Sequence, residues 1–524
     1  MAMRVRSPFA RRVLLLTVVP LAAACVFTSL RVTPQQTKPP AQAARVTSPV
    51  KAHLLDGSTV VFPIGIVILG DTVRPLSGHG LQYSLTLSDT SLVDWIQLDR
   101  VAAMESFSTR TNVPATLLVS TVGTAATVVG TVALLKALFG SCPTVYADTG
   151  GALALQAETF SYSIAPRLEM PDVDRLYVRP DSTGRVVIEV RNEALETHYI
   201  NSLQLVEIRQ RPGEEIVPDG RNQPAALSGL VGIASAHDRA GADRREELTL
   251  ADGRAFHSQP QVVDSAARGE LEDHLDITAP LPPGDSAAVV LRMRNSLLNT
   301  VLLYDVLLGG RVAQALDWIG RDLDSVGAML QVAQWYASRM GMRVSVRERG
   351  QWRPAGRLPD SGPIAWRDVA AVVPVPRGED SLRVRLSFVA DNWRIDQVRV
   401  AFHVRRPEQR QLPPTAVTGS DGRPDSAALA AVREPDARYL TTGPGQRFTV
   451  TWEVGSATAG EPRSFLLASR GYYVEWIRQA WLRNAAPLPA GPPNDELLRR
   501  ALADWREQQP QFERRFDATR IPVR

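Results

Sequence analysis

Nucleophilic catalysis needs a serine or cysteine on a sharp turn with a histidine in reach, and metal hydrolases need histidines and acids at fixed spacing. The chain has seven histidines, His53, His79, His198, His237, His257, His274 and His403. None stands in an H-x-x-x-H or H-E-x-x-H arrangement, and no G-x-S-x-G elbow occurs. The densest acid–histidine groups are His237 with Asp238, and Glu270, Glu272, Asp273, His274 and Asp276 in GELEDHLD. Spacing alone reads these as solvated loop residues. Spacing also singles out no glycosidase-type carboxylate pair from 55 acids. PDG at 218–220, SDG at 420–422 and PGD at 283–285 lack the further oxygens of a calcium loop and read as turns. Trp393, Tyr472, Tyr473, Trp476 and Trp481 are of the type that stacks on sugars, and equally of the type that fills a strand core. No catalytic, cofactor-binding or metal-binding residue is assigned.

Composition narrows the partners. Apolar residues make up 44% and charged residues 22%, as in globular chains with real cores. The pI of about 9.2 invites a nucleic-acid reading. However, Arg4, Arg6, Arg11 and Arg12 crowd an acid-free N-terminus, which accounts for the net +4. The remaining arginines alternate with acids, and no basic stripe with interleaved aromatics appears. Nucleic acid is not an expected partner.

The elements begin with an export pattern: MAMRVRSPFARR is basic, VLLLTVVPLAA is apolar, and the small-residue end AAAC closes on Cys25. Leu-Ala-Ala-Ala-Cys resembles a lipobox, which implies a signal peptide over 1–24 and acylation of Cys25. Ala22 stands where the pattern prefers leucine, with Leu21 one position further out. Val26 follows the cysteine, and by the same resemblance this favours the outer membrane over inner-membrane retention. With Cys25 acylated, Cys142 has no disulfide partner in the chain and reads as a buried thiol. The Pro-, Gln- and Thr-rich stretch 25–45 reads as a flexible tether.

Residues 46–110 read as a small β unit around an Asp56-Gly57 hairpin turn. The order of its strands, ending in LDRVAAMESF, resembles small SH3- or Sm-like barrels. Residues 112–140 read as one hydrophobic helix. Its core from Leu117 to Leu135 matches the roughly 20 residues that cross a bilayer, and residues 113–139 are a possible second membrane contact. Short strands with turn residues then suggest a β-sandwich-like domain over 141–310, with 211–268 as polar loops. Val312, Leu316, Ile319, Leu323, Val326 and Leu330 step by four and three, predicting an amphipathic helix over 311–341. A second β-sandwich-like region over 342–485 follows, with a linker at 405–436. A charged helical tail, interrupted at Pro510, closes the chain over 486–524. The fold class expected is thus mainly β (α+β).

GSCPTVYADTGG, AETFSYSIAPRLE, RNEALETHYIN, DNWRIDQV and SRGYYVEW together resemble a group of bacterial envelope proteins in which a hydrophobic helix runs into Gly-Ser-Cys-Pro and aromatic-rich strands. Similar blocks adjoin β-rich repeat proteins of the ASPIC/UnbV type. The resemblance implies architecture and assigns no activity. The expected function is a lipid-anchored envelope protein facing the periplasm, structural or binding rather than catalytic, with a protein or glycan partner. The alternatives are a bitopic membrane protein with domains on both sides, inner-membrane placement, or a glycan- or peptidoglycan-acting enzyme.

Overall fold

The structure, a computed structural model, describes residues 28–35, 43–48, 50–54, 59–69, 76–83, 90–111, 142–148, 153–194, 196–308, 326–443, 446–456, 462–475 and 493–518. Cys25, the signal segment, residues 112–141, the first half of the expected 311–341 helix, Trp476 and Trp481 lie outside these. Strand accounts for 51% and helix for 17%, with several antiparallel sheets, so the chain is mainly β. Among the described residues no helix is long and apolar enough to cross a membrane.

The first unit is one eight-stranded sheet. Its strands are β1 (Thr28–Gln35), β2 (Ala44–Val46), β3 (Val50–Leu54), β4 (Thr59–Phe62), β5 (Ile66–Ile68), β6 (Leu76–Tyr83), β7 (Thr90–Ile96) and β8 (Val101–Thr111). The order is β1-β8-β3-β4-β6-β5-β2, with β7 on the free edge of β6. Strands β3 and β4 pair from Val50↔Phe62 to His53↔Thr59, the hairpin expected around Asp56-Gly57. Alternation explains their burial: Val50, Ala52, Leu54, Val60 and Phe62 all face one core with Ile66, Leu76 and Met104. β1 corrects the expectation of an unstructured tether over 25–45, because the Thr28–Gln35 backbone is hydrogen-bonded along β8.

The next segment supplies β9 (Thr144–Asp148), β10 (Leu153–Glu158), β11 (Met170–Leu176), β12 (Arg185–Arg191) and β13 (Glu196–Arg209). Then come β14 (Glu215–Pro218), β15 (Pro224–Gly232), β16 (Ser235–Asp238), helix α1 (Pro260–Arg268), β17 (Glu272–Pro280) and β18 (Ser286–Asn295). Helix α2 (Val326–Arg339) leads to β19 (Met342–Glu348), β20 (Gln351–Leu358), β21 (Arg367–Pro374), β22 (Ser381–Val389) and β23 (Trp393–Arg405). The chain closes with β24 (Gln409–Leu412), β25 (Ala416–Gly419), helix α3 (Ser426–Val432), β26 (Leu440–Thr442), β27 (Arg447–Glu453), β28 (Arg463–Glu475) and helix α4 (Asp495–Ala518).

Pairing nests one unit inside another. Sheets β10-β9-β12-β27-β25 and β11-β28-β13-β24, the latter with β26 also on β13, share a core of Val145, Ile188, Leu203, Val450, Trp452 and Leu467. Sheets β14-β15-β23-β18-β21 and β16-β17-β22-β19-β20 share another of Leu275, Val289, Val344, Leu386, Trp393 and Val400. The first pair, the host, uses residues before 210 and after 408. The second is inserted between β13 and β24, and Ile208 pairs with Gln409, so the chain leaves and re-enters the host at adjacent positions. The expected serial division at 310 and 342 is therefore corrected: host strands that pair lie far apart in sequence, as in Arg185↔Glu453.

Composition misled at four further places. The expected loops 211–268 hold β14–β16 and α1, and the expected linker 405–436 holds β24, β25 and α3. Four of these strands, β14, β16, β24 and β25, are short strands at sheet edges, which read as loops. Within the described part of the 311–341 helix, Leu330 is 47% exposed, while Val332, with half-buried Trp335 and Tyr336, meets the core. Helix α4 runs through Pro510 without the expected interruption, and Leu498, Ala501, Leu502 and Trp505 are buried with Val263 and Ala266 of α1 and with Val301, Leu302 and Val306.

Candidate functional site

The groups with the most unusual electrostatics meet at the seam between host and inserted units. In β11 the burial order turns Asp172 and Asp174 inward, against the polar-outward rule, and Glu158 ends β10 beside them. They are 1%, 4% and 5% exposed, respectively. Arg367, from β21 of the inserted unit, donates to Asp172 Oδ1 at 2.9 Å and to the Val173 carbonyl at 2.7 Å, and its Nε lies 3.5 Å from Asp174 Oδ1. Asp172 Oδ2 also accepts the Phe160 amide at 3.0 Å. Glu158 Oε2 accepts the amides of Ile364 at 2.7 Å and Ala365 at 3.3 Å. Gly362 is required there, since a Cβ on it would stand 1.9 Å from the Glu158 carboxyl carbon.

Two carboxylates thus share one guanidinium, with the Glu158 charge nearby. Burial, then the Asp172 charge, pushes Asp174 up to about 8 despite Arg367. The Arg367 guanidinium is raised, with burial opposing it and the Asp172 and Asp174 charges prevailing. Toward the surface, Arg175 meets Glu215 at 2.6 Å, Arg399 meets Glu215 at 2.8 Å, Arg292 meets Asp396 at 3.2 Å, and Tyr177 donates to Asp368. Val173, Val206, Ile208 and Leu466 of the host pack on Ile216 and Ala226 alongside. This arrangement clamps the two units. It offers charge pairing and amide capture.

The residues that the sequence singled out do not converge. His237 is exposed, while Asp238 folds a turn by accepting the Ala240 and Ala242 amides at 2.9 Å. GELEDHLD is largely strand, which corrects the solvated-loop reading. β17 faces Asp273 inward, where Ser258 donates to it at 2.6 Å, and Asp276 outward onto Arg385 at 2.6 and 2.7 Å. Burial, with Arg385 next in weight, lowers His274. Trp393 lies in the inserted core and Tyr473 is buried in the host, so no platform joins them. Tyr472 stacks on Tyr199 with ring centroids 4.6 Å apart, and Tyr439 meets both edge-on. His198 and Glu196, both fully buried, lie 2.7 Å apart. Cys142 is buried, and burial, then Glu158 and Glu196, raises its thiol well above the ordinary range, against thiolate chemistry. Among the described residues no group of three or more His, Cys, Asp or Glu side chains is placed to hold a metal ion.

Sequence reasoning missed Asp172, Asp174 and Arg367. The only available signal was the alternating PDVDRL of β11, and alternation does not say which face is buried until its partner strand is known.

No protein-family model matches the chain, and no curated protein matches it. Among solved structures, the infectious bursal disease virus Gx strain aligns over 94% of this chain and 92% of that one, at 8% identity and a TM-score of 0.14. The secreted serine protease VesC from Vibrio cholerae aligns over 73% of this chain and 96% of that one, at 8% identity and a TM-score of 0.11. Overlaps this slight carry no argument.

Proposed function

We propose that the chain is an exported, lipid-anchored cell-envelope protein, attached through Cys25, facing the periplasm from the outer membrane, with a structural or binding role. One observation carries the reading: the basic, apolar and small-residue run that ends in Leu-Ala-Ala-Ala-Cys. Residues 46–110 act as a small SH3- or Sm-like barrel, and the host and inserted units as β-sandwich-like modules that offer surfaces to a protein or glycan. Nucleic acid is not a partner. The clustered carboxylates of the seam are not placed as a glycosidase pair. Glu158, Asp172 and Asp174 are buried under the seam and engaged by backbone amides and Arg367, whereas a glycan-acting enzyme holds its acids in an open cleft. Labelling cells with radioactive palmitate tests the anchor: label enters the wild type and is lost in Cys25→Ala. Equal label in both, or none in the wild type, rejects it.

A further inference from the structure

Resting on the envelope reading, we infer that the outward face of sheet β16-β17-β22-β19-β20 in the inserted unit docks on an anionic phospholipid surface through Arg347, Arg357 and Arg383. Strand alternation makes the face. β17, β19 and β22 bury every second residue against the inserted core and turn the others outward. The outward rows hold Arg343, Arg347, Arg357, Arg383 and Arg385, none of them buried, beside the carboxylates of Glu272 and Asp276. Both acids are already engaged. Glu272 meets Arg343, and Asp276 meets Arg385 at 2.6 Å. At the rim Glu348 meets Arg353 at 3.0 Å. Among the described residues Arg347, Arg357 and Arg383 form no ion pair. Arg357 donates to the Ser338 carbonyl at 2.9 Å, and Arg383 donates to the Ser381 hydroxyl at 3.4 Å.

Register then sets like charges side by side. Arg343 stands opposite Arg357. Arg347 and Arg383 flank the Val346↔Val384 pair on the same side, which makes them neighbours in a second row. The two rows are four residues apart along β19, or roughly 13 Å. Burial, then the Arg343 charge, lowers the Arg357 guanidinium. Like charges opposed in a sheet cost stability, and an anion set between them removes the repulsion. The planar guanidinium fork fits phosphate oxygens in pairs. A lipid surface suits the layout best among phosphate-bearing partners. The arginines form a two-dimensional array, whereas a nucleic-acid strand is tracked along one groove. Their outward neighbours are Ser345, Ser387, Thr278 and His274, without the apolar centre that protein interfaces bury. Half-buried Trp352, with Arg385 over its ring at 4.5 Å, is of the type found at headgroup depth.

Each arginine beside an anionic leaflet favours contact about fivefold, so three favour a face-down state by roughly a hundredfold. Photo-crosslinking reads this on the full-length protein. A benzophenone amino acid replaces Ser345, between Arg343 and Arg347, or Thr183 in an exposed host turn. The protein is reconstituted into vesicles of phosphatidylethanolamine and tritiated phosphatidylglycerol and illuminated. Tritium is expected on the chain at residue 345 about tenfold above residue 183, falling toward the level of 183 in Arg347→Gln/Arg383→Gln, which loses two of the three contacts. Salt at about 0.5 M should lower it likewise, which serves if the double variant fails to fold. Equal labelling at 345 and 183, or labelling at 345 that neither the double variant nor salt reduces, overturns the inference. Capture of labelled duplex DNA at 345 without lipid labelling overturns it in favour of a nucleic acid. Palmitate on Cys25, measured on the same samples, reports separately on the anchor. Palmitate present without labelling at 345 sinks the docking face alone, and labelling at 345 without palmitate sinks the anchor alone.

Discussion

The host and inserted units are built to one plan, two five-stranded antiparallel sheets across an apolar core, yet they are assembled differently. The inserted unit pairs only strands between Glu215 and Arg405, and beside its apolar core from Ile233 to Val400 it buries Asp273, Asp368 and Asp396. The host must join β12 to β27 and β13 to β28 across the whole insertion, and it carries Glu158, Asp172, Asp174, Glu196 and His198 in its interior or at its seam. The difference separates two tasks. The contiguous unit completes its sheets from its own strands, whereas the discontinuous one holds Asp172 and Asp174 in a buried charge cluster that only Arg367 of the inserted unit completes.

Excision gives the largest effect. Residues 142–209 alone lose the partners of β12 and β13 and should show no cooperative melt by circular dichroism. Residues 210–408 should keep one, weakened by the loss of Leu498, Leu502 and Trp505 from their cover. A cooperative melt from 142–209 alone would break the comparison. Next comes Arg367→Ala, which leaves Asp172 and Asp174 buried without their cation and should cost about 3–5 kcal/mol in urea unfolding. Gly362→Ala, which drives a methyl into the Glu158 carboxylate, should cost about 2–3 kcal/mol. Gly213→Ala, in an open turn at φ +80°, should cost only about 1 kcal/mol.

The seam also predicts a pH dependence with a definite sign. The folded state holds a proton on Asp174 up to about pH 8, whereas an unfolded aspartate releases it near pH 4. Stability from this group is therefore full below about pH 4, falls by up to about 1.4 kcal/mol per unit as pH rises, and levels off above about pH 8. Urea midpoints across that window should slope in the wild type and slope less in Asp174→Asn, where Asp360, pushed up to about 7 by burial, retains part of the dependence. Matching slopes would remove Asp174 from the account. The smallest effect belongs to the half-exposed Asp276–Arg385 pair on the inserted unit. Arg385→Ala should change stability by less than about 1 kcal/mol.

Much of the strand content was legible because it is local. The hairpin around Asp56-Gly57 and the alternating Val186, Ile188 and Val190 of β12 read directly as strands. What one chain's pattern could not supply is partnership. Nothing in GRVVIEVRN points to RFTVTWEV, so the nested order was read as serial. DNWRIDQV illustrates the same limit. The motif by itself assigns no role, which emerges only from distant contacts. Asp391 accepts the Trp505 indole N–H at 2.6 Å and donates its amide to the Ser258 hydroxyl oxygen at 2.8 Å, while Asn392 donates to the Met340 carbonyl at 2.8 Å. The seam was hidden for the same reason, since its acids and its arginine belong to different units.

The central claim, an anchored protein displayed on the periplasmic side, is tested most directly by topology. A site-specific protease sequence placed in the exposed turn Arg211–Gly213, with an epitope at the C-terminus, is probed in spheroplasts whose inner membrane is intact. The account predicts cleavage without lysis. A turn protected until the inner membrane is broken would contradict it and would place the host and inserted units in the cytoplasm, beyond a true crossing by residues 117–135.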